Sequence, residues 1–376
     1  MDLAVLLTYR CNSRCSMCNI WKYPSLPKEE VSLETLSKIP PGIDYLNLSG
    51  GEPTLRADLM EIVDLLYPKA MQLEISSNGL QPEKLEPVIK KYPNVKIRFS
   101  LEGPEELNNL IRGERNGYQT KVKGLLRLKE LGGTDLGFGT VIQDANADQL
   151  VGLYQFCQQH CVEFAVSTLH NGYQFHKSDN VPYNRLRVAR SIEKLIIEYL
   201  KSNSVKSWFR AYLCLGLISK VLGHERLIIC SAGTEFVFLD PWGDMFACNV
   251  RPDLKLGNLS QQSWDEIMNG PVSTKVRSKV SQCTQNCWMV GSAKPAMRNP
   301  HFAKLPRLGP LMWVIENKLK VMLGGSVNFG KYNDYSNIYK DNIVPERIYY
   351  LDQPFERQVQ TGAETHYVRF GEFDNH

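Results

Sequence analysis

The chain has 376 residues, more than one ordinary domain needs, so one large α/β domain with an appended unit, or two domains, is expected. Hydrophobic residues at 43% and charged residues at 22% are those of a globular protein with a core. A net charge of +4 with no long run of like charges lacks the clustered basic face of a nucleic-acid binder, and no nucleic-acid partner is expected.

The opening residues, MDLAVLLTYR, lack the positive flank and the apolar length of a signal peptide. No stretch approaches the roughly 18 apolar residues of a membrane span. A cytoplasmic protein is therefore expected. Ten cysteines in such a chain point to metal or redox chemistry rather than to a disulfide scaffold.

Strands are predicted at 3–8 (LAVLLT), 44–49 (DYLNLS), 71–76 (MQLEIS), 95–101 (VKIRFSL), 136–142 (LGFGTVI) and 162–169 (VEFAVSTL). The helical patterns LETLSKI, ADLMEIVDLLY, PEKLEPVIKKY, TKVKGLLRLKEL and ADQLVGLYQFCQQ fall between or after them. Repeated β-then-α units predict a parallel sheet, and right-handed crossovers curl it towards an open barrel. Functional residues are then expected where strands end and loops begin. A polar loop at 170–185 precedes a long helical region at 186–222. Beyond 228 the texture changes: TEFVFLD (234–240), the turn PWGD and MFACNV read as a β-hairpin, and SWDEIMN as a short helix. The expected division is a barrel with linker helices over 1–222, an appended unit over 223–292, and an extension over 293–376 whose architecture the pattern does not assign. Within that extension LGPLMWVIENKLKVMLGG (308–325) is apolar, mildly basic and helical in period. It is expected to pack on the core or plug the barrel, with contact to a membrane surface as the lesser alternative.

The first strand runs into CNSRCSMC, which places Cys11, Cys15 and Cys18 in a C-x3-C-x2-C spacing. A closed zinc site takes four ligands. No fourth cysteine or histidine lies nearby, the first histidine being His160. Three thiolates on one loop suit three corners of a [4Fe–4S] cube and leave the fourth iron open. A zinc knuckle and buried cysteines are the alternatives.

Further motifs follow the next strands: Ser49-Gly50-Gly51-Glu52-Pro53, Ser76-Ser77-Asn78-Gly79, Ser100-Leu101-Glu102-Gly103, and then Asn109-Leu110-Ile111-Arg112-Gly113. In this order they resemble the radical SAM enzymes over roughly residues 3–170. The resemblance implies a partial (β/α)6 barrel. It also implies a cluster whose open iron is chelated by S-adenosylmethionine, and reductive cleavage to a 5′-deoxyadenosyl radical that takes a substrate hydrogen atom. It implies a reductant partner such as flavodoxin or ferredoxin. By the same resemblance Gly50, Gly51, Glu52 and Pro53 meet the methionine end, where bare glycine lets the backbone approach. Ser77 and Asn78 belong to the third motif. Ser100 and Glu102 would reach the ribose, with Glu in place of the usual Asp. Arg112 would pair with the methionine carboxylate, a solvated helix charge being its alternative. Met17 replaces the aromatic residue that often precedes the third cysteine.

Cys230, Cys248, Cys283 and Cys287 form a second set, with Gly243 and Cys248 in a G-x4-C hairpin. The pattern resembles the auxiliary-cluster region of SPASM and twitch radical SAM enzymes. Its four ligands fit the shorter twitch form, as in the 2-deoxy-scyllo-inosamine dehydrogenase type. The resemblance implies a second [4Fe–4S] cluster that, being saturated, exchanges electrons, and structural zinc is the rival. Cys157 and Cys161 read as packing residues. So does Cys214, which is also a candidate hydrogen donor for an epimerase. His170, on the loop after strand six, is a candidate base or substrate ligand. Arg187, Arg190 and Arg210 read as solvated helix charges.

The expected function is oxidation of a hydroxyl carbon of a sugar- or cyclitol-like small molecule, with the auxiliary cluster taking an electron. The alternative is modification of a ribosomally made peptide by thioether formation, C–C crosslinking or epimerisation. Strand one begins at residue 3, so a fused peptide-recognition module is not expected. An alternative of another class is a non-enzymatic zinc-binding protein.

Overall fold

The computed structural model describes residues 1–177, 179–298 and 309–329, and the backbone of two further strands at 356–361 and 364–369. Six strands alternate with helices: β1 (Asp2–Leu6), β2 (Tyr45–Ser49), β3 (Leu73–Ser77), β4 (Lys96–Ser100), β5 (Leu136–Ile142) and β6 (Glu163–Thr168). The helices are α1 (Leu33–Ser37), α2 (Leu59–Leu66), α3 (Glu86–Lys91), α4 (Glu105–Arg112), α5 (Gly117–Glu130) and α6 (Leu150–Gln159). Then come α7 (Arg185–Lys201), α8 (Val205–Val221), α9 (Trp264–Asn269), α10 (Pro271–Ser281), α11 (Val290–Arg298) and α12 (Gly309–Met322). β1 to β6 pair in sequence order, all parallel, and β6 does not close on β1. The fold is thus the open partial barrel that the β-then-α pattern predicts.

Side-chain alternation decides what the barrel contains. In β2, Leu46 and Leu48 point outward into the helix-covered core, while Tyr45, Asn47 and Ser49 line the lumen. In β3 and β4, Leu73, Ile75, Ile97 and Phe99 join the core, and Glu74, Ser76, Arg98 and Ser100 stand along the lumen. A period of two with a polar inner face cannot fill a barrel with packed aliphatic layers, so it leaves an aqueous interior.

The hairpin seen in the sequence is present as β7 (Phe236–Leu239) and β8 (Asp244–Phe246), and β9 (Lys255–Asn258) extends it. Its turn is held by Asp240, whose Oδ1 accepts from Trp242 N at 2.9 Å and Asp244 N at 3.0 Å. Gly243 supplies the φ of +85° that the turn requires. β7 pairs in parallel with β1, so the hairpin continues the barrel's own sheet. A small aromatic core of Leu6, Tyr9, Ile20, Tyr173, Phe238 and Phe246 joins the barrel mouth to the hairpin.

Three features differ from the sequence pattern. The helical region 186–222 is two helices, broken where the Ser204 side chain caps α8. α4 and α10 are further helices outside the patterns read from the sequence: α4 buries Asn108 and Arg112 beside Ile111, and the apolar face of α10 is only Val272, Val276 and Val280. Of the two expectations for the 308–325 segment, packing on the core holds over its described residues 309–325 and plugging the barrel does not. Its helix, α12, packs on α7 and α8 from outside, with Val314 buried and Lys318 Nζ bonded to the carbonyls of Leu200 (2.8 Å) and Ser202 (2.9 Å). No described helix is long and apolar enough to cross a membrane.

Trp288, just past the last cysteine, anchors the return of the chain to the barrel. Its Nε1 donates to Leu213 O at 2.8 Å, and its ring lies where a Cβ on Gly216 would be, 2.0 Å away. Gly216→Val is therefore expected to expel the ring and lower stability by about 1–3 kcal/mol, the usual cost of overpacking. A fall in thermal melting temperature, with Gly152→Ala as a control on an open helix position, checks this.

Candidate functional site

The segment Cys11–Cys18 has no regular structure of its own and is suspended from its neighbours. Arg14 N and Ser16 N donate to the carbonyls of Arg112 (3.0 Å) and Ile111 (2.9 Å), acceptors that α4 leaves free at its C-terminus. Gly113 ends α4 at φ +61°, and a Cβ there would stand 2.6 Å from Arg14 O. On the other side Asn180 Nδ2 donates to Met17 O at 2.9 Å, and Asn19 N to Phe175 O at 2.9 Å. The root of the loop is locked by Arg10, which places Nε and Nη2 on the two oxygens of buried Glu30, each at 2.9 Å.

Cys11, Cys15 and Cys18 all line one cavity of about 410 Å³ at the C-terminal ends of the strands. They perturb one another's ionisation, and burial pushes the Cys11 thiol up to about 11 and Cys18 to about 12. Cys15 is raised too, mainly by burial, with the Arg112 guanidinium pulling the other way. Arg112 reaches the cavity beside them, its Nη1 3.4 Å from Glu102 and its Nε without a hydrogen-bond partner among the described residues.

Gly50 and Gly51 lie flat against the first strand's exit. A Cβ at Gly50 would stand 2.4 Å from Thr8 O, and one at Gly51 2.2 Å from Arg10 O. Ser77, Asn78 and Ser100 also face the cavity. Glu52 and Glu102 do not. Glu52 is wholly buried and accepts from Ser77 Oγ (2.9 Å), Asn78 N (2.6 Å) and Thr54 N (3.0 Å), so it ties the β2 and β3 loops together. Glu102 is wholly buried, accepts from Val141 N at 2.8 Å, and holds Arg112. Pro53 is buried behind the same wall and starts a short turn. These three residues shape the site from behind instead of forming its surface.

In the second set, Cys230, Cys248 and Cys283 are near enough to couple electrostatically. The Cys248 sulfur accepts from Val250 N and Arg251 N, both at 3.3 Å, a pattern that favours a thiolate, although burial pushes its thiol up to about 12. Cys287 is buried, and its carbonyl takes a bond from Arg226. No three described His, Cys, Asp or Glu side chains converge on a single-ion site. His170 lines the main cavity, edge-on to Phe175 at 5.0 Å. Cys214 does not line it: it is fully buried on α8 among core side chains, so the structure shows packing and offers no path for it as a hydrogen donor. Arg210 pairs with Glu163 and Arg187 with Asp148, away from the cavity.

Residues 5–157 match the model of the radical SAM superfamily, and residues 230–288 match SPASM, an iron–sulfur cluster-binding domain. The chain carries a radical SAM domain followed by a SPASM domain. A radical SAM domain implies a SAM-binding [4Fe–4S] cluster and a SPASM domain implies auxiliary iron–sulfur binding, so the matches favour iron–sulfur over zinc at both cysteine sets. Its relatives include the mycofactocin maturase MftC of Mycolicibacterium smegmatis, 26% identical over 251 residues, covering 64% of this chain and 62% of that protein. A probable GTP 3′,8-cyclase of Sulfurisphaera tokodaii is 26% identical over 275 residues, 68% of this chain and 83% of that protein. The chain thus spans less than two thirds of MftC. Among solved structures, Streptococcus suis SuiB bound to precursor peptide SuiA gives a TM-score of 0.53 at 17% identity, over 74% of this chain and 66% of that one. The enzyme anSMEcpe with bound AdoMet gives 0.56 at 16% identity, over 90% and 99%. Both share the fold.

The residues present fit the cofactors this family uses. Thiols whose burial opposes ionisation stand beside the buried Arg112 guanidinium, whose Nε lies 3.5 Å from Glu114 Oε1 and has no hydrogen bond among the described residues, and two glycines bare the backbone at the same rim. Sequence reasoning did not single out Arg10, Glu30, Asn180, Asn249 or Met289–Gly291. Asn249 and Met289–Gly291 line the cavity only because β7 and α11 return to β1, a pairing no local pattern signals.

Replacing Arg112 by Met leaves buried Glu102 without its cation. Breaking such a pair costs about 3–5 kcal/mol, so Arg112→Met is expected to lower melting temperature and iron retention, with Arg112→Lys intermediate in both. Calorimetry and iron assay on the reconstituted variants read the outcome.

Proposed function

We propose that this protein is a radical SAM enzyme that modifies a peptide. The observation that carries the reading is the composition of the cavity wall. The cysteine triplet forms one side, and Asn249 with Met289–Gly291 of the auxiliary segment forms the other, so a substrate side chain between them sits beside both proposed iron–sulfur sites. The likeness to a protein named as a maturase supports the peptide class. Oxidation of a sugar or cyclitol draws no support from the named relatives, and we do not carry it forward.

Cys11, Cys15 and Cys18 are the proposed ligands of the SAM cluster, and Cys230, Cys248, Cys283 and Cys287 those of the auxiliary one. When bound, SAM and its cluster supply a 5′-deoxyadenosyl radical. The chain's own part is to orient and to shield. Gly50, Gly51, Ser77 and Asn78 form the rim that positions the nucleotide, and Arg112 balances negative charge at the thiolates. His170, which lines the cavity, is the proposed proton carrier. We also propose that the barrel unit spans 1–222 and the auxiliary unit 223–292, and that a flavodoxin or ferredoxin supplies electrons.

Two cubes give about eight iron atoms per chain after anaerobic reconstitution. Cys11→Ala is expected to lose about four of them together with 5′-deoxyadenosine formation under dithionite. Cys248→Ala is expected to lose a similar number while still forming deoxyadenosine. The substrate class is tested by co-expression with a library of short peptides, with peptide mass as readout. A peptide lighter by two hydrogen atoms supports crosslinking. Turnover of GTP or of a cyclitol with every peptide unaltered would overturn the proposal.

A further inference from the structure

The lumen carries charges that the cysteine-lined cavity does not use. A second cavity, of about 380 Å³, shares Ser49, Ser76, Ser100 and Val290 with the first and runs on to the N-terminal ends of the strands. Asp2, Tyr45, Glu74, Arg98 and Lys294 line that end. Four of these five are committed. Asp2 accepts from Arg298 Nη2 at 2.5 Å. Glu74 accepts from the Tyr45 hydroxyl and from Asn47 Nδ2 at 2.9 Å. Arg98 donates to the carbonyls of Ile97 (3.0 Å) and Asp135 (2.8 Å) and to the Asp135 carboxylate.

Lys294 differs. Its ammonium stands 3.4 Å from the centroid of the Tyr45 ring and has no hydrogen bond or ion pair among the described residues. Burial lowers its pKa to about 8, helped by Lys96 and Arg298 and opposed by Asp2 and Glu74. A cation–π contact compensates only part of the lost hydration. Lys294 arrives on α11, the first helix after Cys287, which packs against β1 and β7. The same chain segment that closes the auxiliary site thus delivers an uncommitted cation into the barrel.

We propose that Lys294 is the receiving cation for a carboxylate of the substrate: an Asp or Glu side chain of the peptide that reaches down the lumen while the reacting residue stays beside the cysteine triplet. This rests on the peptide reading above. Glu74 already has its donors and Asp2 has one, Arg298 on Oδ1, with its Oδ2 left without a partner among the described residues; Lys294 is the one charged group of the five with no polar partner at all. A single negative charge suits the place better than a phosphate dianion, which Asp2 and Glu74 repel more strongly.

The test reads binding without turnover. Wild-type holoenzyme is labelled anaerobically with acetic anhydride near pH 8, and acetylation of Lys294 is measured by mass spectrometry against exposed Lys90. The probes are N-acetyl-Gly-Glu-Gly-amide, its Gln counterpart and methyl phosphate. At about ten times its dissociation constant the Glu peptide is expected to lower Lys294 labelling about tenfold, both by mass action and by raising the amine's pKa. The Gln peptide and methyl phosphate are expected to leave it unchanged. Equal protection by the Glu and Gln peptides, protection by neither, or protection by methyl phosphate alone would each overturn the proposal. Because labelling needs no catalysis, protection of Lys294 by a peptide in an enzyme that modifies none would sink the peptide reading and leave the carboxylate site standing.

Discussion

Three half-buried sulfurs line one cavity in surroundings that oppose their ionisation. Burial raises all three thiols of the triplet, to about 11 for Cys11 and about 12 for Cys18, so at neutral pH a thiolate exists there only with positive charge beside it. Iron supplies that charge in this family, and Arg112 is the protein's own contribution. The backbone around the sulfurs obeys the same economy of means. The loop has a few internal hydrogen bonds, from Cys18 N to Cys15 O and from the Arg14 guanidinium to the carbonyls of Cys11 and Ser13, and takes its other partners from the end of α4, from Phe175 and from the side chain of Asn180. Its geometry therefore depends on three distant segments being in place at once.

The second constraint is the polar inner face of the strands. A barrel lined by Tyr, Asn, Ser, Glu and Arg cannot be filled by its own side chains, because each buried polar group needs a partner. Several find one across the lumen wall, as Glu74 does with Tyr45 and Asn47. What remains is a passage from the cysteine loop to the lower end of the sheet. The carboxylates Glu52 and Glu102 show the complementary use of buried charge. Each is enclosed by donors and stitches neighbouring loops together, so the rim keeps its shape without any regular structure.

The appended segment completes this interior. β7 adds to the free edge of β1, Trp288 anchors the chain against α8, and α11 then follows β1. The barrel and the cysteine-bearing hairpin share one sheet, and the wall of the substrate space is built jointly from both. A change in the auxiliary segment is therefore felt directly in the cavity.

Much of this was legible locally. Strand starts and ends follow from β-branched and aliphatic runs, whereas that the polar face of DYLNLS and KIRFS lines a hollow interior was seen only in the structure. The cysteine spacings, with the glycine pair one unit later, carried the family and its cofactors. α4 was hidden because its buried residues, Asn108, Ile111 and Arg112, form no apolar stripe. The family resemblance put Glu52 and Glu102 at the working surface, and their burial removed them from it; Cys214, read as packing with a donor role only in the epimerase alternative, is indeed packed in the core. Spacing along the chain determines which atoms can share one cluster, since neighbouring thiols need no fold to be close. Only the tertiary structure decided that Arg112, Asn180, Met289 and Lys294 would meet in one interior, because those contacts join residues far apart in sequence through a sheet edge and a helix end that no local pattern encodes.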